Sequence, residues 1–245
     1  MNQIIDILTK ILEHLPNPPD QQSIPQNESI VQPVDSKPTS PQVLIPIKKE
    51  INFVSSNTKR LVEEDFVNAA QLLNVEVAAI KAVTSVESSG GGYLPSARPK
   101  ILFEALYFHN LTKGKYDQTY PSISEPKWDR ALYKGGEKEY DRLSLAIGLD
   151  QEAALKSASW GLFQIMGANY KACGFDSVYD FVQANVESEA NHLKAFIGFI
   201  KTNKLDVALR DCNWPEFARK YNGPGYAKNS YHTKLQEAYN KFKTP

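Results

Sequence analysis

The stretch TSVESSGGGYLP, Thr84–Pro95, decides how the rest of the chain is read. Just upstream, Val77, Ile80, Val83, Thr84 and Glu87 recur on one side of a helical pattern. That helix delivers a glutamate straight into two serines and three glycines. An anion in the last turn sits at the negative end of the helix macrodipole, where Lys or Arg is the usual occupant. Broken local rules of this kind tend to mark functional sites. With Ile80 and Val83 on the same face, the carboxyl of Glu87 is expected to point inward. Burial and the helix end both disfavour its anion, so its pKa is expected to be raised. A carboxylic acid still protonated near neutral pH is what general acid catalysis requires. The glycines permit a sharp turn and leave room for a bulky substrate beside it. The competing reading is an exposed glutamate at a frayed helix end.

Working outward, a second carboxylate lies in ILFEALYF, whose β-branched and aromatic content after Pro99 predicts a short strand. Glu104 within so apolar a run is costly to bury unless it is paired or used. Its plain alternatives are an ion pair with Arg98 or Lys100, or outward alternation on the strand. Taken with Glu87, the pair matches the two carboxylates that glycosidases use. In that role Glu104 works ionised, so Arg98, Lys100 or backbone donors are expected to hold its pKa low. Two further stretches stand out. ASWGLFQIMGANY sets the amide of Gln164 among Leu162, Phe163, Ile165 and Met166, and ARKYNGPGYAKNSY sets Tyr221 and Asn222 before a Gly-Pro-Gly turn. Core packing and a tight loop explain them; a buried amide and a Tyr-Asn pair also suit polar sugar recognition.

The remainder is helical in pattern, from EEDFVNAAQLLN, with acidic residues in its first turn, to SYHTKLQEAYNKFK at the C-terminus. VESEANHLKAFIGFIKTN reads as one continuous helix. Residues 1–15 form a short amphipathic helix with Ile4, Ile5, Leu8, Ile11, Leu12 and Leu15 on one face. So short a helix needs a surface to pack against. Its polar face carries Asp6 and Glu13 against Lys10, which favours weak contact with protein over membrane. Residues 16–58 read as a flexible linker, since eight of the fifteen prolines fall between Pro16 and Pro46 among Gln, Ser and Asn. A single mainly α domain with a small β element is expected over residues 59–245.

Twenty-eight basic and 28 acidic residues cancel, so no global field points to nucleic acid or an anionic membrane. Cys173 and Cys212 lack CxxC spacing, and the four histidines lack paired metal spacing, so neither a metal nor an organic cofactor is implied. No apolar run approaches the roughly 20 residues that span a bilayer. The N-terminus has no basic n-region and no small-residue cleavage site, so synthesis in the bacterial cytoplasm without a signal peptide is expected.

VESSGGGY, then SWGLFQIMG, then KYNGPGY resembles the lysozyme superfamily signature, in which a catalytic Glu-Ser precedes a GLMQI-like and a YNGG-like segment. The sequence is similar, more closely, to the N-acetylmuramidase family of phage endolysins in RPKILFEALYFHNLT, VESEANHLKAFIGFI and the W-x-x-FA-x-x-YNGPGY run. The resemblance covers about Leu61 to the C-terminus. It implies a lysozyme-like α-helical fold and a monomer acting on bacterial peptidoglycan glycan strands. It makes Glu87 the general acid and Glu104 the second carboxylate, with Gln164, Tyr221 and Asn222 lining the sugar cleft. The alternatives are a lytic transglycosylase, a Cys/His amidase using Cys173, or a non-catalytic wall-binding or phage structural module.

Overall fold

The structure, a computed structural model, describes residues 49–88, 91–223 and 225–243. The predicted N-terminal helix and most of the predicted linker lie outside the described residues. Ten α-helices and one small sheet make up the described chain. Helix α1, Glu63–Leu73, starts with Glu63, Glu64 and Asp65 at the positive end of its dipole and stops where Asn74 turns left-handed (φ 52°). Helix α2, Val77–Glu87, buries Ala79, Ile80, Ala82 and Val83, and is the central rod of the core. Along its length lies α10, Tyr231–Lys243.

The expected strand is shorter than its apolar run. β1 covers only Ile101–Phe103, because Glu104 caps a new helix, α3, Ala105–Thr112, whose Ala105 and Phe108 share a buried face. Helices α4, Lys138–Leu149, and α5, Gln151–Lys156, lead into β2, Ala158–Trp160, and β3, Ile165–Met166. The three strands pair antiparallel in the order β1-β2-β3, with Ile101 opposite Trp160, Phe103 opposite Ala158, and Ser159 opposite Met166. The stretch ASWGLFQIM, for which core packing was one expectation, thus forms a tight hairpin.

α6, Val178–Glu187, and α7, Glu189–Thr202, meet at Ser188, three residues into the segment expected to form the second of two helices. Ser188 is extended (φ −167°, ψ 157°), and its hydroxyl caps the Asn191 N–H at 3.2 Å. The break turns Glu189 inward. α8, Asp206–Arg210, and α9, Trp214–Tyr221, close the set, with Pro215 in the first turn of α9 where its missing N–H costs nothing.

Residues 49–58, read from sequence as the end of the linker, lie against this domain. The Phe53 ring stacks on Trp160 at 5.9 Å and meets Tyr140 edge-on at 5.5 Å. The Ser55 N–H donates to the Ala97 carbonyl at 2.9 Å, and Lys49 and Gln151 exchange two hydrogen bonds. Deleting residues 1–48 should leave turnover of soluble glycan fragments within a few-fold. Extending the deletion through Phe53 should lower the melting temperature, since this half-buried ring forfeits part of the about 3 kcal/mol that a fully buried Phe contributes. Equal melting temperatures for the two truncations would show that the Phe53 packing contributes nothing.

Candidate active site

Glu87 ends α2 with only 4% of its surface exposed. Burial pushes its carboxyl up to about 7, opposed only by the Asn222 side-chain amide, which donates to Oε1 at 3.1 Å. The direction is the one predicted, and desolvation is its main cause. Asn222 reaches this position because α9 stops one residue earlier and the chain turns back through Gly223 (φ 79°). The other amide atom, Oδ1, is buried and has no hydrogen-bond partner among the described residues. A buried acceptor left open beside an acid is suited to receiving a donor from a ligand.

Tyr221 supports the same corner from behind. Its ring stacks on Phe217 at 5.3 Å and meets Phe196 edge-on, and its hydroxyl donates to the Phe163 carbonyl at 3.2 Å. Burial, with the Glu87 carboxyl nearby, holds that hydroxyl well above the usual phenol range. Gln164 is committed to the β2–β3 turn. Its amide donates to the carbonyls of Gly161 at 2.8 Å and Lys100 at 3.1 Å, and accepts from Ser159 Oγ at 2.9 Å. These bonds hold a backbone with Gly161 and Gln164 both left-handed (φ 69° and 48°). Glu87, Tyr221 and Asn222 therefore form one cluster, and Gln164 shapes the turn whose Phe163 that cluster touches.

Glu104 lies at the other end of the hairpin, where its N–H donates to the Ser157 carbonyl at 2.9 Å. It is 1% exposed. The Tyr133 hydroxyl donates to Oε2 at 2.5 Å, while Oε1 has no partner among the described residues. Burial pushes this carboxyl up to about 7, against the opposing pull of Tyr133 and the Arg142 guanidinium. The expected low pKa is therefore not found. Arg98 instead pairs with Glu137 and lies over the Tyr140 ring at 4.3 Å. Arg142 is the cation that faces Glu104, and it is itself tied to Glu139 at 2.8 Å and to the Phe103 carbonyl at 2.8 Å.

A family model for N-acetylmuramidases matches residues 76–243, a span that contains both carboxyls and every group just described. The chain belongs to the N-acetylmuramidase family. Four chains of solved structures match it. One of them, from the crystal structure of Burkholderia AP3 phage endolysin, is 38% identical, covers 77% of this chain and 74% of its own, and superposes with a TM-score of 0.72. No match was found among curated proteins. The protein is thus a peptidoglycan hydrolase with a lysozyme-like fold, of the glycoside hydrolase class.

In this muramidase Gly92 is held by two residues that sequence reasoning missed. His192 of α7 is 1% exposed; its Nε2–H donates to the Asn185 carbonyl at 2.6 Å, and its Nδ1 accepts from the Leu162 N–H at 3.1 Å. Burial lowers its pKa to about 4, so the ring is neutral. It packs so closely that a Cβ on Gly92 would fall 2.5 Å from Nδ1, and one on Gly161 2.9 Å from the ring. Glu189, one residue after the Ser188 break, accepts from the Gly92 N–H at 2.8 Å. The serine followed by an acidic residue in VESEANH was the available signal, a helix start concealed inside a longer apolar pattern. Among the described residues no cluster of His, Cys, Asp or Glu could hold a metal ion. Burial pushes the Cys173 thiol up to about 12, which suits a core residue and not a thiolate nucleophile.

Proposed function

We propose that Glu87 is the general acid with which this muramidase cleaves the β-1,4 bond between N-acetylmuramic acid and N-acetylglucosamine. One observation carries the assignment: a fully buried carboxyl, held up to about 7, has a single amide donor beside it. Such a group still carries its proton at neutral pH and can pass it to the glycosidic oxygen as an oxocarbenium-like transition state forms. Asn222 orients Glu87 through Nδ2 and offers Oδ1 to a sugar hydroxyl or acetamide N–H. Tyr221 and Gln164 act on the cleft through its backbone.

Glu104 is proposed as the second carboxylate. Stabilising the cation, attacking it and activating water are the roles the chemistry offers. The Tyr133 hydroxyl already occupies Oε2, which supports the first, since a stabilising charge need not touch the sugar. The lytic transglycosylase reading is not favoured by the family match. We further propose that the protein acts as a monomer, with the segment before residue 49 as a tether for the domain that follows. Muropeptides released from purified peptidoglycan should carry reducing-end muramic acid by mass spectrometry. Anhydro-muramic ends throughout would overturn the hydrolase assignment.

A further inference from the structure

One residue pair beside Glu104 has no part in the mechanism so far. The Trp128 indole N–H donates to the Tyr133 oxygen at 2.9 Å, and the Tyr133 hydroxyl lies 2.5 Å from Glu104 Oε2. An indole nitrogen can only donate, so the Tyr133 oxygen accepts there and its one proton is left for Glu104. Oε2 must then be the acceptor, and a proton on Glu104 can sit only on Oε1. That atom is buried and has no hydrogen-bond partner among the described residues, and Glu104 lines a cavity of only about 10 Å³ with Trp128, Asp129, Leu132, Tyr133 and Arg142. The neutral acid is thus served poorly, while the carboxylate keeps a short charge-assisted bond.

We propose that Tyr133, fixed by Trp128, is the positioning residue that lets Glu104 carry its charge while buried. The inference rests on Glu104 being a working carboxylate. Three other charged groups lie around Glu104. From α4, Arg142 favours the anion and Glu139 opposes it; Asp129, from the segment between α3 and α4, lines the cavity. The Tyr133 ring also lies 6.0 Å from the Arg142 guanidinium, which keeps hydroxyl and cation on the same carboxyl. Without the hydroxyl, Glu104 would face its full desolvation with only the field of Arg142 opposing it.

The test is the pH dependence of turnover on purified peptidoglycan for wild type, Tyr133→Phe, Trp128→Phe and Glu104→Gln. Wild type should give a narrow bell near pH 7, rising as Glu104 ionises and falling as Glu87 loses its proton. Tyr133→Phe should move the rising limb up by about one pH unit or more. That lowers kcat about tenfold at pH 6 while KM stays within about twofold. Trp128→Phe should shift the same limb in the same direction by less, and it serves as the reporter if Tyr133→Phe does not fold. A rising limb that stays in place in both variants, even with a lower melting temperature, overturns the inference and makes the pair structural only. The underlying assignment fails in a different way: Glu104→Gln would then keep both the limb and near wild-type turnover.

Discussion

Glu87→Gln should leave the fold intact and lower lytic turnover by about 10² to 10⁴-fold, the usual contribution of a positioned acid. The variant amide is nearly isosteric. Its oxygen can keep the bond from Asn222 Nδ2, and its new N–H can serve the Asn222 Oδ1 that now has no partner among the described residues. The same substitution should also stabilise the protein, and only on one side of neutrality. The folded pKa of Glu87 is raised from 4.5 to about 7, so ionising it in the fold costs free energy that ionising it in the unfolded chain does not. Below pH 4.5 that cost is absent, and it is fully present above 7. The variant should therefore gain up to about 3 kcal/mol at pH 8 and nothing at pH 4. Thermal melts at both pH values, run beside turbidity-clearing assays, would check the two halves. A folded variant that lyses at near wild-type rate would remove Glu87 from the role of acid.

Glu139→Ala should produce the largest loss of stability. Its buried carboxylate accepts from the backbone N–H of Phe103 at 3.2 Å, Lys134 at 2.6 Å and Gly135 at 2.9 Å, as well as from Arg142 at 2.8 Å. Removing it strands a nearly buried guanidinium and three donors, and breaking a buried pair from one side costs about 3–5 kcal/mol. Glu139→Gln should lose less, since one oxygen still accepts. The expected order in urea midpoint is wild type, Gln, then Ala. A loss below about 1 kcal/mol in the Ala variant would show that water replaces the carboxylate there. The outcome also bears on function, because Glu139 fixes both the end of β1 that carries Glu104 and the loop that carries Tyr133.

Glu87 was legible because it breaks a local rule, and the long helices were legible because their apolar spacing repeats over several turns. Glu104 could be found in the sequence but its surroundings could not. ILFEALYF fits strand and helix spacing equally over so few residues, and the actual switch falls on the glutamate itself. Trp128 and Tyr133 sit in KWDRALYK, a segment with no period to follow, and only tertiary packing brings them to Glu104. Arg142 was one of two basic residues on an amphipathic helix until its burial was known. The hairpin escaped notice because strands of three and two residues are too short to show alternation. Phe53 was hidden by the proline-rich segment before it, whose composition says nothing about a single aromatic ring at its edge.

Glu87 and Glu104 set this protein's response to acid apart from that of most folds. Acid usually unfolds proteins by protonating carboxylates that the native state holds ionised. Here Glu87 and Glu104 do the reverse: with pKa values raised from 4.5 to about 7, they take up protons more readily folded than unfolded. Acidifying from 7 to 4.5 thus strengthens the fold through them. His192 pulls the other way over nearly the same interval, because the unfolded imidazole binds its proton near 6.5 and the folded one only near 4. Two carboxyls outweigh one imidazole, so these three groups together do not weaken the fold on mild acidification, and mild acid should silence lysis well before it loosens the fold. The enzyme is left dormant and recoverable on return to neutral pH.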